Sequence, residues 1–250
     1  MSGEDVFGLL IRKLAKLYPL SPEDEAAIVA LPHRLEDLDA RSFIIRQGDR
    51  ATHSCLLLTG FACRSKKTGR AARQILSIHI PGDMVDLHNS MLHFADHSVQ
   101  MLTRGSVAYI PREAISALAF DRPAVGRAMW IETLLDGSIF REWLLNNGRR
   151  DARSRIAHML CEFALRLTDA GLTSGGGFIL PMTQVELADA TGLTPIHVNR
   201  RLRELHAEGI IRSDNRTVSI VEWDRLREIG DFDPAYLHYP PGQIPRVRLD

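Results

Sequence analysis

Residues 183–205 contain two helix starts separated by one stop, and this spacing leaves the segment little freedom in how it folds. Thr183-Gln184-Val185-Glu186 is a capping box: the threonine hydroxyl accepts from an orphan backbone N–H of the first turn, and Glu186 reaches back to the N–H of Thr183. The helix it opens ends at Thr191-Gly192, where glycine supplies a left-handed stop. Thr194 then caps a second helix whose first residue is Pro195, a position where the missing N–H costs nothing. Two helices joined by about three residues cross steeply. Such a crossing needs a small residue on the inner face of the first helix and suits a β-branched residue from the second; Ala188 and Val198 stand at those places. At about 100° per residue, Val198, Leu202 and Leu205 share the inner side of the second helix. Ile196, Arg200 and Arg203 lie opposite, flanked by His197 and Glu204, with Asn199 at one edge.

An isoleucine among arginines suits poorly a helix that meets only water, and suits well one that enters the major groove of a duplex. There Ile196 can touch a thymine methyl and Arg200 can bond guanine O6 and N7. Thr194 and His197, near free backbone N–H groups, are placed to hold phosphate. Next come two strand-like runs, 209–212 and 217–221, joined by Ser213-Asp214-Asn215-Arg216, whose composition favours a turn. This hairpin reads as a wing, with Arg212 and Arg216 reaching the sugar–phosphate backbone. The expected DNA-contacting set is Thr183, Thr194, Pro195, Ile196, His197, Asn199, Arg200, Arg203, Arg212 and Arg216. Taken alone, a solvated basic face with a stray isoleucine would explain the helix, and a solvated hairpin the wing. Both caps together with the hairpin favour the nucleic-acid reading.

Bulk charge gives that reading no help. The chain has 31 basic and 31 acidic residues, and from Asp151 onward twelve arginines face fourteen acids. Any basic footprint is therefore local. Composition is that of a soluble globular protein, no apolar run is long enough to span a bilayer, and the first 17 residues, with Glu4 and Asp5, lack a secretory pattern. The three cysteines (Cys55, Cys63, Cys161) form no C-x-x-C pair, which argues against a disulfide framework or an all-cysteine metal site. A cytoplasmic location is expected. No Ser/His/Asp arrangement, phosphate-cradling glycine loop or H-E-x-x-H motif suggests an enzyme.

Periodicity divides the rest. Ser21-Pro22-Glu23-Asp24-Glu25 starts a helix. Short β-type runs follow at 42–46, 55–59, 61–64, 73–80, 98–102 and 107–110, punctuated by glycines, as in a sandwich or barrel. A helix is expected over 121–146, broken by Asn146-Asn147-Gly148, with Gly126 and Gly137 unfavourable inside it. Its apolar residues cover more than one face, so it is buried on more than one side, by a partner subunit or between two domains of one chain. Another helix spans about 151–170, and 173–177 is a flexible loop. Beyond Tyr236 the Pro-rich chain (Pro240, Pro241, Pro245) reads as irregular. The expected fold is α+β: residues 1–120 a β-roll with N-terminal helices, 121–147 a dimerisation helix, 148–235 a winged helix-turn-helix domain, and 236–250 an irregular tail.

These pieces, in this order, resemble the Crp–Fnr superfamily of bacterial transcription regulators over residues 31–221. The resemblance is carried by the strand from Phe43 into Arg46-Gln47-Gly48-Asp49, by Leu57-Leu58-Thr59-Gly60, and by Ile80-Pro81-Gly82-Asp83. Val107-Ala108-Tyr109-Ile110-Pro111 and Val185-Glu186-Leu187-Ala188 through Arg200 complete it. It implies a homodimer on a near-palindromic double-stranded DNA site and contact with RNA polymerase, and it matches Arg200 to the family's guanine-reading arginine. Members that bind cyclic nucleotides carry Gly-Glu-Leu and later Arg-Ser, the Arg pairing with the cyclic phosphate. Here those stretches read Asp86-Leu87-His88 and His97-Ser98-Val99, so Leu87 replaces the Glu and His97 the Arg. Cyclic AMP in the usual manner is therefore not expected. Many members place Glu where Ile196 stands, so the operator should differ from theirs, and the N-terminal cysteine cluster of oxygen-sensing members is missing.

If the roll binds an effector, the expected pocket residues are Asp86, Leu87, His88, His97 and Ser98. His79, Asp86, His88, His93, Asp96 and His97 form an odd imidazole and carboxylate set, and His93 and His97 stand at helical ligand spacing. Surface histidines on a loop once used for a nucleotide explain them more simply, so no metal or cofactor is expected. Cys161, in an apolar stripe with Ile156, Leu160 and Phe163, reads as a buried structural thiol rather than a redox switch. Arg64, Lys66, Lys67, Arg70 and Arg73 form a basic cluster at a hairpin tip, either solvated or in contact with polymerase or DNA. The competing functional class is a cytosolic ligand- or metal-sensing module acting through protein contacts rather than DNA.

Overall fold

A computed structural model describes residues 3–69, 72–173, 177–214, 216–240 and 242–247. The chain forms two compact units, Met1–Gly137 and Ser138–Asp250. Arg70, Ser174 to Gly176, Asn215 and Pro241, named above, lie outside the described residues.

In the first unit, α1 (Gly3–Leu17) and α2 (Pro22–Val29) precede seven strands. The α2 start is as expected: Ser21 accepts from the N–H of Asp24, the Asp24 carboxylate returns the bond to Ser21, and Pro22 opens the helix. Strands β1 (Arg34–Leu38), β7 (Gly105–Pro111) and β3 (His53–Leu57) form one antiparallel sheet in that order. Strands β2 (Phe43–Ile45), β6 (Ser98–Met101), β4 (Ala62–Lys67) and β5 (Arg73–His79) form a second. Period-two alternation gives β3 two dry faces. Cys55 and Leu57 point into a cluster with Leu38, Ala62, Val99 and Met101 between the sheets. Leu56, on the opposite face, packs into a larger cluster with Phe7 and Leu10 of α1, Ile115 of α3 (Arg112–Asp121) and Val125 of α4 (Pro123–Arg149). Burial on both sides makes Cys55-Leu56-Leu57 read as a continuous apolar run.

Sequence reading missed β1 because this edge strand, Arg-Leu-Glu-Asp-Leu, buries only Leu38 fully and keeps its charges in water, as edge strands do. It missed α3 because no side chain caps that helix. Gly126, counted against α4, has a positive reason: a Cβ there would stand 2.2 Å from the carbonyl oxygen of Ala119. The glycine lets α3 and α4 meet backbone to backbone. The helix is also longer than expected, running through Asn146-Asn147-Gly148 to Arg149. Asn146 and Asn147 donate their amides to Arg155 O at 3.2 Å and Ala190 O at 3.0 Å. Those anchors offset the roughly 1 kcal/mol that a glycine costs inside a helix.

The second unit is built on α5 (Ala152–Asp169), capped by Asp151 and almost wholly buried from Ile156 to Leu165. Around it lie β8 (Gly177–Ile179), α6 (Gln184–Thr191), α7 (Pro195–Ala207), β9 (Ile211–Asp214), β10 (Thr217–Ile220) and α8 (Trp223–Gly230). The strands form a small antiparallel sheet ordered β8-β10-β9. The final segment starts with a 3-10 turn, Pro234–Leu237, that is tied down. Tyr236 donates its hydroxyl to Glu162 at 2.8 Å and stacks on His158, and Trp143 Nε1 donates to the same carboxylate at 3.0 Å. The irregular chain therefore begins later than position 236. All three cysteines are buried, and desolvation pushes the Cys161 thiol well up within its dry stripe.

Candidate nucleic-acid interface

The helix pair of the second unit is set by its caps. Thr183 accepts from the N–H of Glu186 at 3.3 Å, and Glu186 accepts from the N–H of Thr183 and from its hydroxyl, both at 2.8 Å. Gly192 ends α6 in the left-handed region at φ 65°, its N–H bonded to Ala188 O. An L side chain is strained there. Thr194 accepts from the N–H of His197 at 3.3 Å, and Pro195 is the first residue of α7. Ala188 is buried at the crossing, as is Val198 from α7.

Two positioning residues escaped the sequence reading. Arg155 of α5 donates Nη1 to Thr191 O at 3.1 Å, placing a cation at the C-terminal end of α6, where the helix dipole favours it. Asn147 holds the neighbouring carbonyl of Ala190. Neither belongs to a local motif; both arrive from elements distant in sequence.

On α7, Val198 and Leu205 are fully buried, whereas Leu202, expected beside them, is only partly covered. Opposite them Ile196 is 79% exposed, and His197, Arg200 and Arg203 also face solvent. Asn199 sits half-buried at the margin, and these residues border a shallow groove of about 420 Å³ lined by Ile196, Asn199, Arg200, Arg203, Glu204 and Ala207. Glu204 pairs with Arg201 at 2.7 Å, and among the described residues neither Arg200 nor Arg203 has an acidic partner. An exposed apolar side chain and two unneutralised guanidinium groups thus share one rigid face. Beside them β9 and β10 form the hairpin, where Arg212 and Arg216 are exposed and Arg216 takes a positive φ of 74°. Thr183 uses its hydroxyl as both donor and acceptor within the capping box. Thr183→Ala should cost about 1 kcal/mol, seen as a lowered unfolding midpoint of the second unit. An unchanged midpoint would mean the cap contributes nothing.

The residues expected to form an effector pocket separate in the first unit. Asp86 is buried, accepting from the N–H of Cys55 at 2.7 Å and from Asn89 Nδ2 at 3.2 Å, and burial pushes its carboxyl up to about 6. Leu87 packs in the apolar cluster under α1, and Ser98 Oγ accepts from the N–H of Gln47. These three are bonded or packed within the protein itself. His88 and His97 instead approach each other, with ring centres 5.0 Å apart. Burial, and after it the Arg64 guanidinium, lowers the pKa of both, that of His97 to about 4. His93 is exposed, lies on no helix, and meets Arg112 rather than His97, so the helical pairing of His93 with His97 does not form. The basic cluster is not a free patch either. Arg64 bonds Asp136 at 2.5 Å and Val85 O at 2.9 Å, Lys66 pairs with Asp96 at 3.7 Å, and Arg73 donates to Gln100 Oε1 at 3.1 Å.

Comparison with known proteins agrees with this architecture. The cyclic nucleotide-binding domain family matches residues 35–122 and the Crp-like helix-turn-helix domain family matches residues 154–229. The chain is 29% identical over 193 residues to the transcriptional activator protein FnrL of Cereibacter sphaeroides, covering 75% of this chain and 77% of that protein. It is 27% identical over 195 residues to a probable transcriptional activator of Rhizobium leguminosarum bv. viciae, covering 77% and 79%. Among solved structures it resembles FixK2 from Bradyrhizobium japonicum, with a TM-score of 0.73 and 26% identity over 80% of this chain and 98% of that one. With a roll similar to the cyclic nucleotide-binding domain family followed by a Crp-like helix-turn-helix, this chain belongs to the Crp–Fnr superfamily of transcription regulators.

Proposed function

We propose that the chain is a sequence-specific DNA-binding transcription regulator that works in the cytoplasm as a homodimer. The observation that carries the reading is the rigid exposed strip of Ile196, Arg200 and Arg203 on α7, backed by buried Val198 and Leu205. In the major groove Arg200 has the reach and fork geometry for guanine O6 and N7, and Ile196 supplies an apolar contact for a thymine methyl. Arg203 and Asn199 flank them. Thr194, Pro195 and His197 bring the positive N-terminal end of α7 to a phosphate, and Arg212 and Arg216 of the hairpin meet the sugar–phosphate backbone. RNA polymerase is the expected protein partner. Among the described residues no helix is long and apolar enough to cross a membrane. Leu87 and His97, standing where nucleotide-binding members carry Glu and Arg, argue against cyclic AMP as the effector.

The test is binding of the full chain to a duplex selected from a random pool, measured against salt. Arg200→Ala should weaken the selected duplex by about 10- to 100-fold and relax preference at one guanine, as expected for loss of a bidentate pair worth about 1–3 kcal/mol. Arg212→Ala should weaken all duplexes alike and flatten the salt slope. Selective binding that is unchanged in Arg200→Ala would remove α7 as the reading helix. Failure to select any duplex would favour a module acting through protein contacts.

A further inference from the structure

We propose that His88 and His97, supported by Asp96, form a binding site for one divalent transition metal ion of the zinc, cobalt or nickel type. His88 lies in the 3-10 turn Leu87–Ser90, and Asp96 and His97 immediately precede β6. One ligand atom from each of the three falls within 4.8 Å of the others. Asp96 Oδ1 stands 2.6 Å from His97 Nδ1. A carboxylate there accepts the Nδ1 proton and fixes the neutral tautomer, leaving the lone pair on Nε2. That Nε2 is buried and has no hydrogen-bond partner, in a residue only 4% exposed, and His88 Nε2 is buried and unpartnered as well.

One buried nitrogen without a partner costs about 1–3 kcal/mol. Two, on rings whose centres lie 5.0 Å apart, point to a shared occupant. The free atom on His97 is a lone pair, so the occupant is an electron acceptor and not an anion. Arg64, the nearby cation that could have received an anion, already directs its terminal nitrogens to Asp136 and Val85 O. Two imidazole ligands, one of them oriented by a carboxylate, suit zinc-like ions and not calcium or magnesium, which take all-oxygen sets. The Asp96 side chain is 69% exposed, so one side of the site is open and water can complete the coordination. Lys66, 3.7 Å from the other Asp96 oxygen, and the Arg64 charge keep the affinity moderate. A bound ion would pin the 3-10 turn to the start of β6. The inference is independent of DNA binding.

The experiment titrates Co²⁺ into chelator-treated full-length protein, followed by its visible d–d absorption and by competition with Zn²⁺. One cobalt per chain is expected, displaced by zinc. His88→Ala and His97→Ala should each weaken binding by about 100-fold or more, and Asp96→Asn, on an exposed side chain that leaves folding intact, by about 10- to 100-fold. His93→Ala should bind as the parent does. Circular dichroism and thermal melts establish that each variant is folded. The proposal is overturned if the parent takes up no cobalt at millimolar concentration. It is equally overturned if folded His88→Ala and His97→Ala variants bind as the parent does, or if His93→Ala abolishes binding.

Discussion

Leu134→Glu combined with Leu144→Glu should convert the protein to a monomer and reduce its affinity for a full two-half-site duplex by about 10³-fold, toward the non-specific level. Both side chains are exposed on α4, together with Trp130, Phe140 and Leu145. At 3.6 residues per turn the five fall within an arc of about 140°, one continuous stripe along the helix. An exposed apolar stripe of that size marks an interaction surface. Two copies facing each other offer ten large apolar side chains. Each is worth about 1.5–3 kcal/mol when fully buried, and roughly half of each remains to be covered. The gain is then on the order of 10 kcal/mol, comparable with the roughly 4–15 kcal/mol cost of association. Four glutamates in the seam would each need water that the seam excludes. Light scattering gives the mass and a two-half-site duplex gives the affinity. If the double variant stays dimeric, the partner surface is elsewhere; if it is monomeric but binds the full site unchanged, reading does not depend on two copies.

Lys13→Met should destabilise the first unit by about 2–3 kcal/mol. Lys13 of α1 sits between Asp83, at 2.6 Å, and Glu132 of α4, with which it also pairs. Burial alone would push the ammonium down, but the two carboxylates outweigh it and hold Lys13 well above its ordinary value. It stays charged at every pH at which the protein is handled. Removing it leaves two carboxylates, each largely buried, without their shared cation. Breaking a fully buried pair costs about 3–5 kcal/mol, and the smaller figure reflects the third of Lys13 that remains in water. The penalty belongs to ionised carboxylates, so it is present at neutral pH and shrinks as pH falls and they protonate. Denaturant unfolding at pH 7 and at pH 4 measures both numbers. Equal losses at the two pH values would assign the effect to lost packing and not to charge.

The helix pair α6–α7 was legible because its information is local: caps, a stop glycine and a three-residue joint are written within about 25 consecutive positions. The exposure of Ile196, Arg200 and Arg203 followed from the same wheel that buried Val198 and Leu205. What escaped was non-local. Arg155 and Asn147 brace α6 from other elements, and Asn147 helps carry α4 past a run that looks like a break. The edge strand β1 and the three-residue β8 bury too few side chains to leave a period. Gly126 read as a weakness because nothing in the sequence marks a backbone 2.2 Å from where a side chain would begin. The spacing of His93 and His97 suggested a helical pair for a related reason: the segment is not a helix, and His88 meets His97 instead.

The central claim, that the outer face of α7 meets the base edges of a duplex, is tested most directly by replacing Ile196 with a photo-crosslinking aromatic residue. After irradiation with a labelled selected duplex, a covalent adduct should map to bases within each half-site and be competed away by the unlabelled selected duplex but not by a scrambled one. Adducts that form with protein only, or with any duplex equally, would contradict it.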